Sequence, residues 1–126
     1  MKEKDLYQKF KKAWPYYINR IEPKGESGIP DMHLYNGRDV FVELKLADAT
    51  GKHKNIVEID VRRSQHIWHK KYPGKSFLLV SMDNFFYLFT KDRIEFIRNR
   101  MELNVFQSLY ILKTKDMKRI IEFLCF

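Results

Sequence analysis

Glu43 and Lys45 stand two residues apart in the run Phe41-Val42-Glu43-Leu44-Lys45. In a strand that spacing sends both side chains, with Phe41, to one face, while Val42, Leu44 and Leu46 point the other way into a core. Upstream, Gly28-Ile29-Pro30-Asp31 supplies a second carboxylate. Two converging carboxylates make a hard-oxygen site suited to Mg²⁺ or Mn²⁺. Such an ion polarises a phosphate and brings the pKa of a bound water into a useful range. Lys45, beside Glu43, would orient that water or neutralise charge developing on phosphorus. Read in isolation, a Glu-x-Lys triplet is a common surface ion pair worth little energetically. The preceding Gly-x-Pro-Asp and a polar residue further on, Gln65, change that weighing.

Whether the carboxylates meet depends on a hairpin. Residues 29–35 and 40–46 read as two strands joined at Asn36-Gly37, a strong turn signal. With those two residues as the whole loop, directly opposed positions sum to about 73. Glu43 then faces Pro30 and Asp31 faces Val42, which leaves Asp31 next to Glu43 but on the opposite face. A bulge or a bend at Pro30-Asp31 is needed to bring them together.

The remaining elements follow from periodicity. Leu6, Phe10, Ala13 and Tyr17 form a helical stripe, and Pro15 should end that helix near Trp14. Residues 22–30 read as an ordered loop, 48–55 as a mobile polar loop, and 56–61 as a short strand. A helix over 62–72 stops at Pro73-Gly74. A second hairpin spans 76–82 and 85–89 across Asp83-Asn84. Residues 94–97 suit either strand or helix, and the rest reads as helical, with Met117, Ile120, Ile121 and Leu124 on one stripe. The order predicts an α/β or α+β sheet layered by helices. Val61, Gln65, Trp68 and Tyr72 share a helix face, which turns the Gln65 amide toward the sheet. A buried amide left without partners costs about 1–3 kcal/mol. Active-site water or Lys45 could satisfy it, or a helix-cap or backbone contact.

Composition bounds the function. The chain has 126 residues, with 24 Lys+Arg against 16 Asp+Glu for a formal net charge of +8. That length suits one domain, residues 1–126, and 44% hydrophobic residues suffice for a core. The lone Cys125 excludes an internal disulfide and a cysteine-cluster zinc site. No apolar run reaches the ~18–20 residues of a membrane span, and no signal core follows Met1, so a cytoplasmic location is expected. The positive excess points to a polyanion. No Gly-rich strand-to-helix phosphate loop is present, which excludes an ATP-driven motor. His66 and His69 lack a third ligand at a convincing spacing and read as surface histidines near nucleic acid. Trp68 and the run Phe85-Phe86-Tyr87 read as core.

In motif order and spacing, Gly28-Ile29-Pro30-Asp31, Phe41-Val42-Glu43-Leu44-Lys45 and Gln65-His66-Ile67-Trp68 resemble the PD-(D/E)xK nuclease superfamily. More narrowly, they resemble small stand-alone VRR-NUC domain nucleases of phage type, over residues 20–89. The resemblance implies a restriction-endonuclease-like α/β fold, a mixed sheet flanked by helices, and metal-dependent phosphodiester hydrolysis. It makes Asp31 and Glu43 metal ligands, with the Leu44 carbonyl adding a third, Lys45 the catalytic lysine, and Gln65 a further catalytic-site residue. Relatives carry another upstream acid, for which Glu22 is preferred and Glu3 competes. The expected DNA contacts are Lys24, Lys52, Lys54, Arg62 and Arg63. The resemblance further implies Mg²⁺, with Mn²⁺ substituting, and branched DNA such as a Holliday junction, cut by a homodimer. The alternative is a non-catalytic nucleic-acid-binding module that keeps the fold.

Overall fold

Tight turns and alternating apolar residues assemble a mixed sheet with helices on both faces, described by a computed structural model over residues 1–21 and 28–125. In chain order the elements are α1 (Glu3–Ala13), β1 (Tyr17–Arg20), β2 (Met32–Tyr35), β3 (Asp39–Thr50), β4 (Ile56–Ile59), α2 (Arg63–Lys71) and β5 (Lys75–Met82). They continue with β6 (Phe85–Thr90), α3 (Lys91–Ile94), β7 (Arg100–Glu102), α4 (Leu103–Gln107), β8 (Leu112–Thr114) and α5 (Met117–Leu124). The main path of the sheet runs β1-β2-β3-β5-β6-β8. Its central pair, β3 and β5, is parallel, and the crossover between them carries β4 and α2. The other pairs are antiparallel, and β4 extends the sheet from the far half of β3 toward β7.

Each face buries its own core. On one, Leu6, Phe10 and Trp14 of the first helical segment and Ile120 and Leu124 of α5 cover Met32, Leu34, Val40, Val42 and Leu44. On the other, Val57, Ile59, Leu78, Val80 and Phe89 pack with Ile94, Ile97 and Phe106. The strand alternation of Val42 and Leu44 against Glu43 and Lys45 is therefore as the sequence implies. Lys2 N–H donates to Asp5 at 2.8 Å at the start of α1. Trp14 turns extended at its end, as a residue before proline should.

Several elements differ from the sequence expectation. Tyr17 fits the helical stripe by spacing, but once Pro15 stops the helix it pairs with Tyr35 as the first residue of β1. The strand β2 begins at Met32, not at 29. The strand β3 continues to Thr50, because Ala47 to Thr50 pair with Ile56 to Ile59, so only the tip at 51–54 remains a turn. The second hairpin forms as expected, with Asp83 and Asn84 both at positive φ (50° and 66°), the geometry of a two-residue hairpin turn. The C-terminal third holds β7, α4 and β8 before its helix, because residues 100–102 pair with β4 and residues 112–114 with β6.

Candidate active site

The hairpin register decides the site. Tyr35 pairs with Asp39, Leu34 with Val40, His33 with Phe41 and Met32 with Val42, so opposed positions sum to 74. The loop holds three residues, Asn36 to Arg38, with Asn36 N–H donating to Arg38 O at 3.3 Å and Gly37 at φ +82°. One residue more in the loop than the two-residue turn requires shifts the register by one and flips every face relation across the hairpin. The next step along the ladder sets Asp31 opposite Glu43, on the same face. The expected obstacle thus disappears through the turn, with no bulge in β2. Asp31 Oδ2 accepts Leu44 N–H at 2.8 Å, and Asp31 O accepts Ile21 N–H at 2.7 Å.

Glu43 is 2% exposed, Gln65 3% and Lys45 8%. Gln65 Nε2 donates to Glu43 Oε1 at 2.7 Å, and Lys45 Nζ lies 3.9 Å from the same oxygen. At its other end, Gln65 Oε1 accepts Arg62 N–H at 2.9 Å and caps the start of α2. The two roles open to this amide from sequence, site partner and helix cap, are both filled by one side chain. Glu43 Oε2 is buried and finds no hydrogen-bond donor among the described residues. Burial, and then the adjacent Asp31 carboxylate, push the Glu43 pKa from 4.5 to about 9, against the opposing pull of Lys45. Without a cation, burial beside a second carboxylate thus favours the protonated form of Glu43.

Glu3, at the start of α1, belongs to the same electrostatic cluster. Burial raises its pKa; Lys45 and Arg20 lower it, and Asp31 and Asp60 raise it further. Asp60, just beyond β4, carries no motif; only the fold brings its charge within electrostatic reach of Glu3. Glu22 and Lys24 lie outside the described residues. Among the described residues no three His, Cys, Asp or Glu side chains stand close enough to hold a metal ion unaided. The buried oxygen of Glu43 without a donor, next to a second carboxylate, is nevertheless the donor chemistry a divalent cation takes.

Gly28 locks the segment carrying Asp31 against α2. Its φ is +72°, and a Cβ there would lie 2.1 Å from Ser64 O in the first turn of the helix that carries Gln65. Farther along α2, His69 is buried, a correction to its reading as a surface residue. Its Nδ1 lies 2.8 Å from Ser76 Oγ, and its pKa falls to about 4, chiefly by burial and then by His66 and Lys91. It holds α2 to β5 as a neutral group. Lys52 and Lys54 are exposed at the tip of the β3–β4 hairpin, and Arg62 and Arg63 are exposed where α2 begins. Trp68 is half-buried against Phe41, at a 5.1 Å ring separation. Among the described residues no helix is long and apolar enough to cross a membrane.

No protein-family profile matches the sequence, and no curated protein matches it. A solved structure does. It is Hjc, a Holliday junction resolvase from the archaeal hyperthermophile Archaeoglobus fulgidus, which aligns over 94% of this chain and 98% of its own at a TM-score of 0.52 and 14% identity. The fold is accordingly restriction-endonuclease-like, as the sequence motifs implied, with a mixed sheet flanked by helices.

Proposed function

We propose that the protein is a metal-dependent DNA endonuclease that selects branched DNA, cutting as a homodimer, with residues 1–126 forming a single nuclease domain. The observation that supports this best is the buried Glu43 carboxyl beside the half-buried Asp31, with one Glu43 oxygen lacking a donor among the described residues and Lys45 alongside. Such an arrangement raises the free energy of the metal-free site, as expected where a cation completes it. The likeness in fold to a Holliday junction resolvase supports the substrate class.

In this reading Asp31 and Glu43 hold Mg²⁺ or Mn²⁺. The carbonyl of Leu44 joins them: its N–H is taken by Asp31 on the side where β2 has ended, and both backbone groups of a strand residue leave the same side. The further acid is Glu22, with Glu3 competing for that place through its electrostatic coupling to Lys45 and Asp31. When bound, the cation polarises the scissile phosphate and acidifies the attacking water. The chain's own groups do the rest. Lys45 places a positive charge where the phosphorane oxygens become more negative. Gln65 holds Glu43 Oε1 so that Oε2 remains directed into the site. Lys24, Lys52, Lys54, Arg62 and Arg63 engage phosphates and give binding its salt dependence.

The deciding experiment incubates the protein with a four-way junction, a matched duplex and supercoiled plasmid in Mg²⁺, Mn²⁺, Ca²⁺ or EDTA. Cleavage of the junction in Mg²⁺ and Mn²⁺ is expected, with binding but little cutting in Ca²⁺, whose looser coordination positions and acidifies water less well. Glu43→Gln should abolish cutting and leave junction binding intact. Undiminished cutting in EDTA, or by Glu43→Gln, would rule out the site.

A further inference from the structure

A series of rings crosses the sheet face that carries Asp31 and Glu43. Trp68 of α2 and Tyr72 just beyond its end stack at 4.8 Å, and both meet Phe41 edge-on at 5.1 Å. His33 stacks on Phe41 at 4.8 Å and 24°, and Tyr17 meets His33 edge-on at 6.0 Å. At its inner end this series is packed beneath α2. At its outer end it emerges on β1 and β2, where Tyr17 is 57% exposed and its cross-strand partner Tyr35 is 48% exposed. His33 Nε2 is tied to Asp39 at 2.6 Å, which orients the imidazole and occupies the nearest carboxylate. Two exposed rings, Tyr17 at the outer end of this series and Tyr35 across the strand pair from it, on an edge that includes Asn19, offer faces to an aromatic occupant.

We infer that Tyr17 and Tyr35 form a stacking platform for an unpaired nucleobase of the strand being cut. This rests on the nuclease reading above. Three observations favour a base over another occupant. The platform continues the face of the candidate active site, since His33 and Tyr35 pair with Phe41 and Asp39, which alternate to the same side of β3 as Glu43. Its distance suits a neighbouring nucleotide: at roughly 3.4 Å per strand residue, Phe41 and Asp39, the partners of His33 and Tyr35, lie about 7 and 14 Å along β3 from Glu43, some two to four stacked base steps. The chain's net charge of +8 draws in a polyanion, and every base offers a π-face to a ring. Within a duplex those faces are covered by neighbouring base pairs. Only unpaired nucleotides, as at a flap or where a branch point opens, expose them, so the platform acts as a selector for opened branched DNA that is independent of the phosphate contacts.

The test places 5-iodouracil at successive unpaired positions of a flap or junction arm and, as a control, at paired positions of a duplex. Irradiation is carried out in EDTA so that binding is read without cutting. Crosslinks to Tyr17 or Tyr35 from unpaired positions only are expected; crosslinks mapping elsewhere would overturn the inference. In parallel, Tyr17→Ala and Tyr35→Ala should each weaken binding to the unpaired substrate on the order of 10-fold. They should leave duplex affinity and the salt slope unchanged, and Tyr→Phe should retain wild-type affinity. An equal loss on duplex, or no loss, overturns the platform. So does dissociation of a dimer by either Ala variant in light scattering, which would mark the surface as an interface between copies. Because these readings need no cleavage, an inactive wild-type protein would refute the nuclease proposal and leave the platform result standing.

Discussion

Gln65 Nε2 donates to Glu43 Oε1 across 2.7 Å while Gln65 Oε1 accepts the N–H of Arg62, so one amide ties a buried acid on β3 to the first turn of α2. Replacing Gln65 by Leu leaves both Glu43 and a backbone N–H without that partner. The expected loss is about 1–3 kcal/mol for each group stranded, read as a lower denaturant midpoint. Cleavage should fall as well, since Glu43 is then free to turn. Gln65→Glu should be worse for activity, because it keeps the cap but sets a third acid against Glu43.

Glu43 also sets a pH dependence. Its folded pKa, about 9, lies above its ordinary 4.5, so the metal-free native state holds a proton that the unfolded chain releases. Its contribution is complete below pH 4.5 and is lost as pH rises toward 9. Thermal melts in EDTA should therefore decline from pH 5 to pH 9. Added Mg²⁺ should raise the midpoint more at pH 8.5 than at pH 6, since binding must displace the proton. Glu43→Gln should flatten the EDTA profile and remove the Mg²⁺ response.

Lys45 lies 3.9 Å from Glu43 Oε1 and favours its ionised form. Lys45→Met keeps the apolar stem and removes the charge. Turnover should drop by orders of magnitude while junction affinity changes little. Any residual activity should have its pH optimum shifted upward, because Glu43 becomes harder to ionise. Single-turnover rates across pH, beside binding isotherms, separate these effects; a change confined to affinity would make Lys45 a phosphate contact.

Gly28 and Gly37 both sit at positive φ, yet they should respond differently to alanine. At Gly37 nothing lies within 4 Å of a built Cβ, so Gly37→Ala should cost only the roughly 1–2 kcal/mol of a left-handed backbone. At Gly28 a methyl collides with the Ser64 carbonyl, so Gly28→Ala should push α2 away from the Asp31 segment. Equilibrium unfolding should show the larger loss at Gly28. Cleavage by Gly28→Ala should fall even at temperatures where it remains folded.

The sequence alone determined the placement of side chains on faces. The two-residue period of β3 separates Glu43 and Lys45 from Val42 and Leu44, and the helical period of α2 turns Gln65 inward; both are local properties of backbone geometry. The hairpins and the end of α1 were legible for the same reason, since Asn-Gly, Asp-Asn and proline act on their immediate neighbours. What the sequence left open was how faces meet. Asn36-Gly37 signals a turn, but whether Arg38 joins the loop depends on pairing Met32 and Leu34 with Val42 and Val40 over a core built by α1 and α5. That single residue of register decides whether Asp31 and Glu43 share a face. Tertiary packing likewise brought Glu3 into the electrostatic reach of Lys45 and Asp31 from an element far apart in the chain, buried His69 against Ser76, and paired Tyr17 with Tyr35 once Pro15 had ended the helix. Each of these is a contact between separate elements, and local spacing carries no information about which elements meet.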